Sequence, residues 1–296
     1  MLLLGFEDYR APAQALAQLL EVEYREVELH TFPDGETRVK LPTPLPEHVI
    51  FARTLNDPNA KLIQLLIAAQ AARQNGAKQI TLISPYLCYM RQDIAFTAGE
   101  AISQKIIGKL LGETFDSVIT VDPHLHRISK LSEAIPNAQA ISISAANLMG
   151  VALAKGLLGQ NSPRLLLVGP DSESEQWVKQ VAAPGEYEYV IASKVRRGDR
   201  NVTITLPNYD YQGKHVLLVD DVISSGHTLM RCAEQLRERG CIAVSALCTH
   251  PLLATGAAEA LDSVGISPLI STDSILHASN RIALAPLLAS AFKQLL

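Results

Sequence analysis

Several things are missing from this sequence. Cysteine is scarce, with four in 296 residues (Cys88, Cys232, Cys241 and Cys248). They lie far apart and form no CxxC pair, which excludes zinc-ribbon and thioredoxin-like arrangements. Cys241 and Cys248 sit in an apolar, strand-like run and read as reduced core residues. A cytoplasmic setting follows. The start, MLLLGFEDYR, has no basic n-region and too short an apolar stretch for a signal peptide. No uninterrupted apolar run approaches about 18 residues, so no membrane span is expected. The net charge of −4 offers no basic field for nucleic acid. Anionic ligands must therefore be held by local donors. There is no G-x-x-x-x-G-K-[ST] loop and no G-x-G-x-x-G, so a P-loop or protein-kinase reading lacks its main part. No short repeat or low-complexity segment is evident.

What is present is a globular α/β pattern. At about 150 residues per domain, the length suits two domains or one large one. Apolar residues make up 48% and charged residues 19%, and the mean hydropathy is +0.13. Apolar runs of strand length alternate with helix-period segments. Expected strands include His48–Ala52, Gln79–Ser84, Ser117–Asp122, Arg164–Gly169, Tyr187–Lys194, His215–Asp220 and Ile242–Thr249. Expected helices include Ala11–Leu20, Pro58–Gln74, Glu100–Leu111, Ala145–Leu158, Thr228–Arg239 and Pro286–Leu295. Such alternation indicates mainly parallel sheets with helices on both faces. A Gly/Asn/Ser/Pro cluster, GLLGQNSPR, marks the boundary region near 143–162. Two doubly wound domains are expected, over 1–143 and 144–296.

Three expected strands end in carboxylates: Ser117–Asp122, Arg164–Asp171 and His215–Asp221. In open α/β sheets, ligands bind at that edge. A helix-capping Asp is the plain alternative for each one. The third strand is the most informative. Asp220 and Asp221 are followed by Ser224, Ser225, Gly226, His227 and Thr228, then a helix. A small-residue loop opening a helix presents backbone N–H groups at the positive end of the helix dipole, which suits a phosphate. The paired Asp side chains can accept hydrogen bonds from vicinal hydroxyls. A phosphate beside a diol describes ribose 5-phosphate.

This stretch resembles the phosphoribosyl-binding loop of the type I phosphoribosyltransferase fold. Further segments narrow the resemblance to the ribose-phosphate diphosphokinase family and extend it over nearly the whole chain. They are FPDGE (Phe32–Glu36), SPYLCYMRQD (Ser84–Asp93), GEAISQK (Gly99–Lys105), DPHLHR (Asp122–Arg127), GPDSESEQW (Gly169–Trp177) and KVRR (Lys194–Arg197). The GE pair and the SESEQW segment look closer to the short, archaeal-type branch. The resemblance implies two phosphoribosyltransferase-like domains, ATP on the first and ribose 5-phosphate on the second. Their strand ends are expected to face one another. It implies transfer of a diphosphoryl group from ATP to the sugar, with Mg2+ as cofactor. It also implies a homo-oligomer, a dimer or larger, in which a neighbouring subunit supplies part of the ATP site.

Residue by residue, the resemblance implies an ATP site of Phe32, Asp34, Gly35, Glu36, Arg91, Gln92 and Asp93. The Phe32 ring stacks on adenine, and Asp34 and Glu36 accept from its amino group or the ribose. Arg91 forks onto phosphate. His124 and Asp171 are the magnesium ligands, with His126 ranked behind His124; Mg2+ takes few protein ligands and completes its shell with water and substrate oxygens. Lys194 and Arg196 alternate along a strand or its extension and so point the same way. Their role is to stabilise charge developing during transfer.

Two departures stand out. Ser224 replaces an acidic residue common in the family's loop, and His227 replaces its second glycine. If the position of His227 needs positive φ, the loop is strained there. After Asp93, Ile94, Ala95 and Phe96 stand where many relatives carry basic residues. A transferase that consumes PRPP and a non-catalytic paralogue are the competing functions. The FPDGE and Arg91–Gln92 segments weigh against the first. Lys194, Arg196, His124 and Asp171 weigh against the second.

Overall fold

The computed structural model describes residues 1–125, 127–159, 164–197 and 201–296, with only the backbone described along 194–197 and 201–203. The chain forms two compact units, Met1–Ile143 with Ala283–Leu296, and Ser144–Ile282.

The first unit contains β1 (Leu2–Gly5), α1 (Arg10–Leu20), β2 (Glu23–Glu26), β3 (Glu28–Thr31), β4 (Thr37–Lys40), β5 (His48–Ala52), α2 (Pro58–Gln74), β6 (Gln79–Ile83), α3 (Ser103–Thr114), β7 (Ser117–Val121), α4 (Leu131–Ala134) and β8 (Gln139–Ile143). The second contains α5 (Ala146–Ala154), β9 (Leu165–Gly169), α6 (Glu175–Ala182), β10 (Glu188–Ile191), β11 (Ser193–Arg197), β12 (Asn201–Thr205), β13 (His215–Ile223), α7 (His227–Glu238), β14 (Ala243–Pro251), α8 (Ala257–Ser263), β15 (Ile266–Thr272) and β16 (Asn280–Ile282). A last helix, α9 (Ala285–Lys293), returns to the first unit. There its Phe292 ring lies 5.7 Å from His48, and it packs against α1, β7 and β8. The single stretch 144–296 expected from sequence is therefore broken at its end. The buried apolar face of α9, including Leu288 and Phe292, is satisfied by the first sheet.

Each unit is built on a six-stranded sheet, ordered β2-β1-β5-β6-β7-β8 and β10-β9-β13-β14-β15-β16. Every ladder in both is parallel. Burial on both faces explains why the strands read as continuous apolar runs. In the second unit Val216 and Leu218 pack toward Leu229, Cys232 and Leu236 of α7. The intervening Leu217 and Val219 pack toward Met149 of α5 and Trp177 of α6. In the first, Val49 and Phe51 pack toward Leu62 and Leu65 of α2 and Leu111 of α3, while Ile50 between them is equally buried. Among the described residues, no helix is long and apolar enough to cross a membrane.

The two units repeat one another in register as well as order. Leu2 pairs with Glu23 and Val49, as Leu166 pairs with Glu188 and Val216. Each unit inserts an antiparallel hairpin at the same point, β3–β4 in one and β11–β12 in the other. The first residue of the third strand is a histidine in both. His48 Nε2 lies 3.0 Å from Thr81 Oγ1, and His215 Nε2 lies 2.8 Å from Ser245 Oγ. Burial lowers the pKa of both imidazoles. This repeat is barely visible in the residues, because a parallel strand needs only apolar side chains of suitable shape.

Candidate functional site

The second unit places its carboxylates where the sequence indicates, with one difference. β13 runs on to Ile223, so Asp220 and Asp221 lie within the strand, and Asp220 pairs with Cys248 of β14. Asp221 is 3% exposed. Its amide donates to Asp220 Oδ1 at 3.0 Å. Burial, then the charges of Asp221 and Asp171, hold the Asp220 carboxyl well above the usual range. Asp171 lies two residues past the end of the neighbouring strand β9. Its Oδ1 accepts from the amides of Glu173 (3.1 Å) and Ser174 (3.3 Å), so it caps the short turn before α6.

The loop after β13 opens α7 as expected. Gly226 is the residue with positive φ, at 73°. A Cβ there would also come within 3.0 Å of Leu261. His227 is the first residue of α7, is exposed and has no positive φ. The strain expected at His227 is therefore absent, because Gly226 carries the left-handed turn. The carbonyls of Ile223 and Ser224 accept from the amides of Leu253 and Ala254 at 2.9 and 3.1 Å, which pins the loop at its base.

In the first unit FPDGE is the turn of the β3–β4 hairpin. Phe32 N donates to Glu36 O at 2.8 Å, Gly35 N to Phe32 O at 2.9 Å, and Glu36 N to Asp34 Oδ1 at 3.1 Å. Gly35 takes φ 92°, which a side chain would resist. Phe32 is 42% exposed at the tip, with its ring edge-to-face against His30 at 4.9 Å between centroids. Arg91, Gln92 and Asp93 follow β6 and lie against the start of α3. Ser103 N donates to Gln92 Oε1 at 2.9 Å, and Gln104 Nε2 to Met90 O at 3.1 Å. Arg91 is exposed. Asp93 instead turns inward, its side chain 5% exposed, and meets Arg127 Nη1 at 2.5 Å. His124 lies in the turn after β7, just past Asp122, whose φ is 37°. His126 lies outside the described residues.

Lys194 and Arg196 belong to β11, opposite Ile204 and Val202 of β12. Their backbone alternation matches expectation, and their side chains lie outside what the structure describes.

Residues 1–114 match the family model for the N-terminal domain of ribose phosphate pyrophosphokinase. Residues 137–264 match the phosphoribosyl transferase domain. A ribose-phosphate pyrophosphokinase from Methanopyrus kandleri is 34% identical over 95% of this chain and 94% of its own. The chain belongs to the ribose-phosphate pyrophosphokinase family. A second member, from Methanosarcina acetivorans, is 32% identical over 96% of each chain. The crystal structure of phosphoribosylpyrophosphate synthetase from Mycobacterium smegmatis matches at a TM-score of 0.82, with 23% identity, over 99% of this chain and 98% of that one. That likeness shows the fold: two phosphoribosyltransferase-like units.

Within this family frame, the fit to Mg2+ rests on the second unit's carboxylates. Burial and the neighbouring charges of Asp221 and Asp171 disfavour ionisation of Asp220, which a divalent cation or a pair of hydroxyl donors would relieve. No group of three His, Cys, Asp or Glu side chains forms a metal cage among the described residues. Two arginines of the first unit, Arg127 and Arg53, make contacts that no local motif assigned. Arg127 sits in the quoted DPHLHR segment, and its signal is a cation three residues past His124. Arg53, 4% exposed, has one in principle: an arginine ending an apolar strand.

Proposed function

We propose that the chain transfers the β,γ-diphosphoryl group of ATP to the 1-hydroxyl of ribose 5-phosphate, giving PRPP and AMP. The 1-hydroxyl oxygen forms a bond to the β-phosphorus of ATP. The bond from that phosphorus to the α–β bridging oxygen breaks, AMP leaves with the electron pair, and the hydroxyl proton passes to solvent. The observation that carries this reading is the second unit's edge, where Asp220 and Asp221 stand beside a loop whose Gly226 turn opens α7. In a family of this name, that edge suits a sugar diol next to a phosphate.

Asp220 and Asp221 accept from the ribose hydroxyls. Ser224, Ser225, Gly226, His227 and Thr228 surround the 5-phosphate with amides and hydroxyls. Phe32 offers its exposed ring to adenine, with Asp34, Gly35 and Glu36 at the nucleobase edge. Arg91 and Gln92 receive the ATP phosphates. Lys194 and Arg196 meet the negative charge that builds on the transferred group. His124 and Asp171 would be the ligands of Mg2+ that the family resemblance implies, and the ion would supply charge neutralisation on the phosphate oxygens. The chain works as a homo-oligomer in the cytoplasm.

Incubation with ATP, ribose 5-phosphate and Mg2+ should yield AMP and PRPP in equal amounts. Absence of both products overturns the proposal. Lys194→Ala should abolish turnover with an unchanged melting temperature; near-normal kcat removes the role given to Lys194.

A further inference from the structure

We propose that Asp93, an ATP ligand by resemblance, is instead a positioning residue. Together with Arg127 it ties the Arg91–Gln92 segment to the His124 turn. This rests on the functional reading above and deepens it.

β6 and β7 are parallel neighbours, so the loops that follow them leave the same sheet edge. Backbone bonds join the loops at their base. Ser84 N donates to Ile119 O at 2.9 Å, and Val121 N to Pro85 O at 3.2 Å. Beyond that the loops have a common support in α3. Its first turn holds Gln92 through Ser103 N and through a Gln104 N to Gln92 O bond of 3.1 Å. Its glycine face admits the other loop's continuation: a Cβ at Gly108 would stand 1.9 Å from Ala134 O. At the far end the ion pair between Asp93 Oδ1 and Arg127 Nη1 bridges the two.

The pair is badly built for stability alone. The Asp93 side chain is 5% exposed and Arg127 is 52% exposed, so a desolvated carboxylate faces a solvated, screened cation. Asp93 Oδ2 is buried with no hydrogen-bond partner. A half-satisfied buried carboxylate costs free energy. It persists where position matters more than stability. Here it sets the distance between a phosphate-binding arginine and a magnesium-binding histidine, both of which must address one triphosphate.

The test uses the full-length protein and the variants Asp93→Asn, Arg127→Met, Arg127→Lys and the Asp93→Asn/Arg127→Met double variant. ATP and ribose 5-phosphate are varied separately, and backbone hydrogen exchange is followed without ligands. Asp93→Asn and Arg127→Met should each raise KM for ATP about 10- to 100-fold while KM for ribose 5-phosphate stays within about twofold. The double variant should be no worse than the weaker single, since both remove one contact. Arg127→Lys should restore much of the loss. In Arg127→Met, residues 90–93 and 121–125 should lose exchange protection together. Unchanged KM for ATP, or equal rises for both substrates, overturns the positioning role. If the wild-type protein makes neither AMP nor PRPP, the functional reading fails instead. Joint loss of protection then still supports the tie, and separate or unchanged protection overturns it.

Discussion

The two units put opposite chemistry on the same edge of the same sheet. By ladder register, Arg53 stands in the first unit where Asp220 stands in the second. Arg53 is enclosed. Its guanidinium donates to Asp8 Oδ1 at 3.2 Å and lies 4.2 Å from the Phe6 ring centroid. Lys61 Nζ reaches Asp8 Oδ2 at 3.0 Å and Asn56 Oδ1 at 2.7 Å. The Arg53 position is thus neutralised from within by its own neighbours. The second unit's edge gathers Asp171, Asp220 and Asp221, whose charges oppose one another. One backbone plan therefore supports a closed, structural position after β5 and, at the equivalent position in β13, an open one that needs hydroxyls or a cation.

The contrast can be broken from either side. The largest effect is expected on the closed edge. Asp8→Ala leaves Arg53 buried without its carboxylate and should lower unfolding stability by about 3 kcal/mol in urea titration. A change below about 1 kcal/mol would mean that the edge is not held by this pair.

A smaller effect is expected in the open loop. Gly226→Ala forces a side chain into positive φ against Leu261 and should cost about 1–2 kcal/mol. It should also raise KM for ribose 5-phosphate while leaving that for ATP near wild type. Equal changes in both constants would refute the separation of roles.

The smallest effect has the opposite sign. The Asp220 carboxyl is raised above its ordinary 3.8, so the folded state holds its proton more tightly than the unfolded chain does. Its contribution to stability is full below the unfolded value and is lost as pH rises through the folded one. Asp220→Asn should therefore stabilise the ligand-free protein by about 1 kcal/mol at pH 8 and hardly at all near pH 3.5. Thermal melts at the two pH values read this directly, and equal shifts at both would discard the cause. The same variant should lose ribose 5-phosphate affinity.

Much of this was legible beforehand. His48–Ala52 and Pro58–Gln74 are found with the expected bounds, because a buried parallel strand and a Pro-started helix both announce themselves locally. Three of the four sheet edges were not. β2, with Glu23, Arg25 and Glu26, β8 (Gln139–Ile143) and the short β16 have no expected counterpart, since an edge strand can be polar and exposed, whereas the edge strand β10 falls within the expected Tyr187–Lys194. The loop opening α7 lies where expected, and the positive φ that would have strained His227 falls on Gly226, which adopts it freely.

Local chemistry settled the elements, the family and the residue types at each strand end. A carboxylate, a glycine or an aromatic at a turn has a meaning within a few residues. The pairing of residues far apart in the chain settled the rest: that α9 belongs with the first sheet, that Arg53 takes the place of Asp220, and that Asp93 faces Arg127. Those facts depend on register and long-range burial, and no stretch of sequence encodes either by itself.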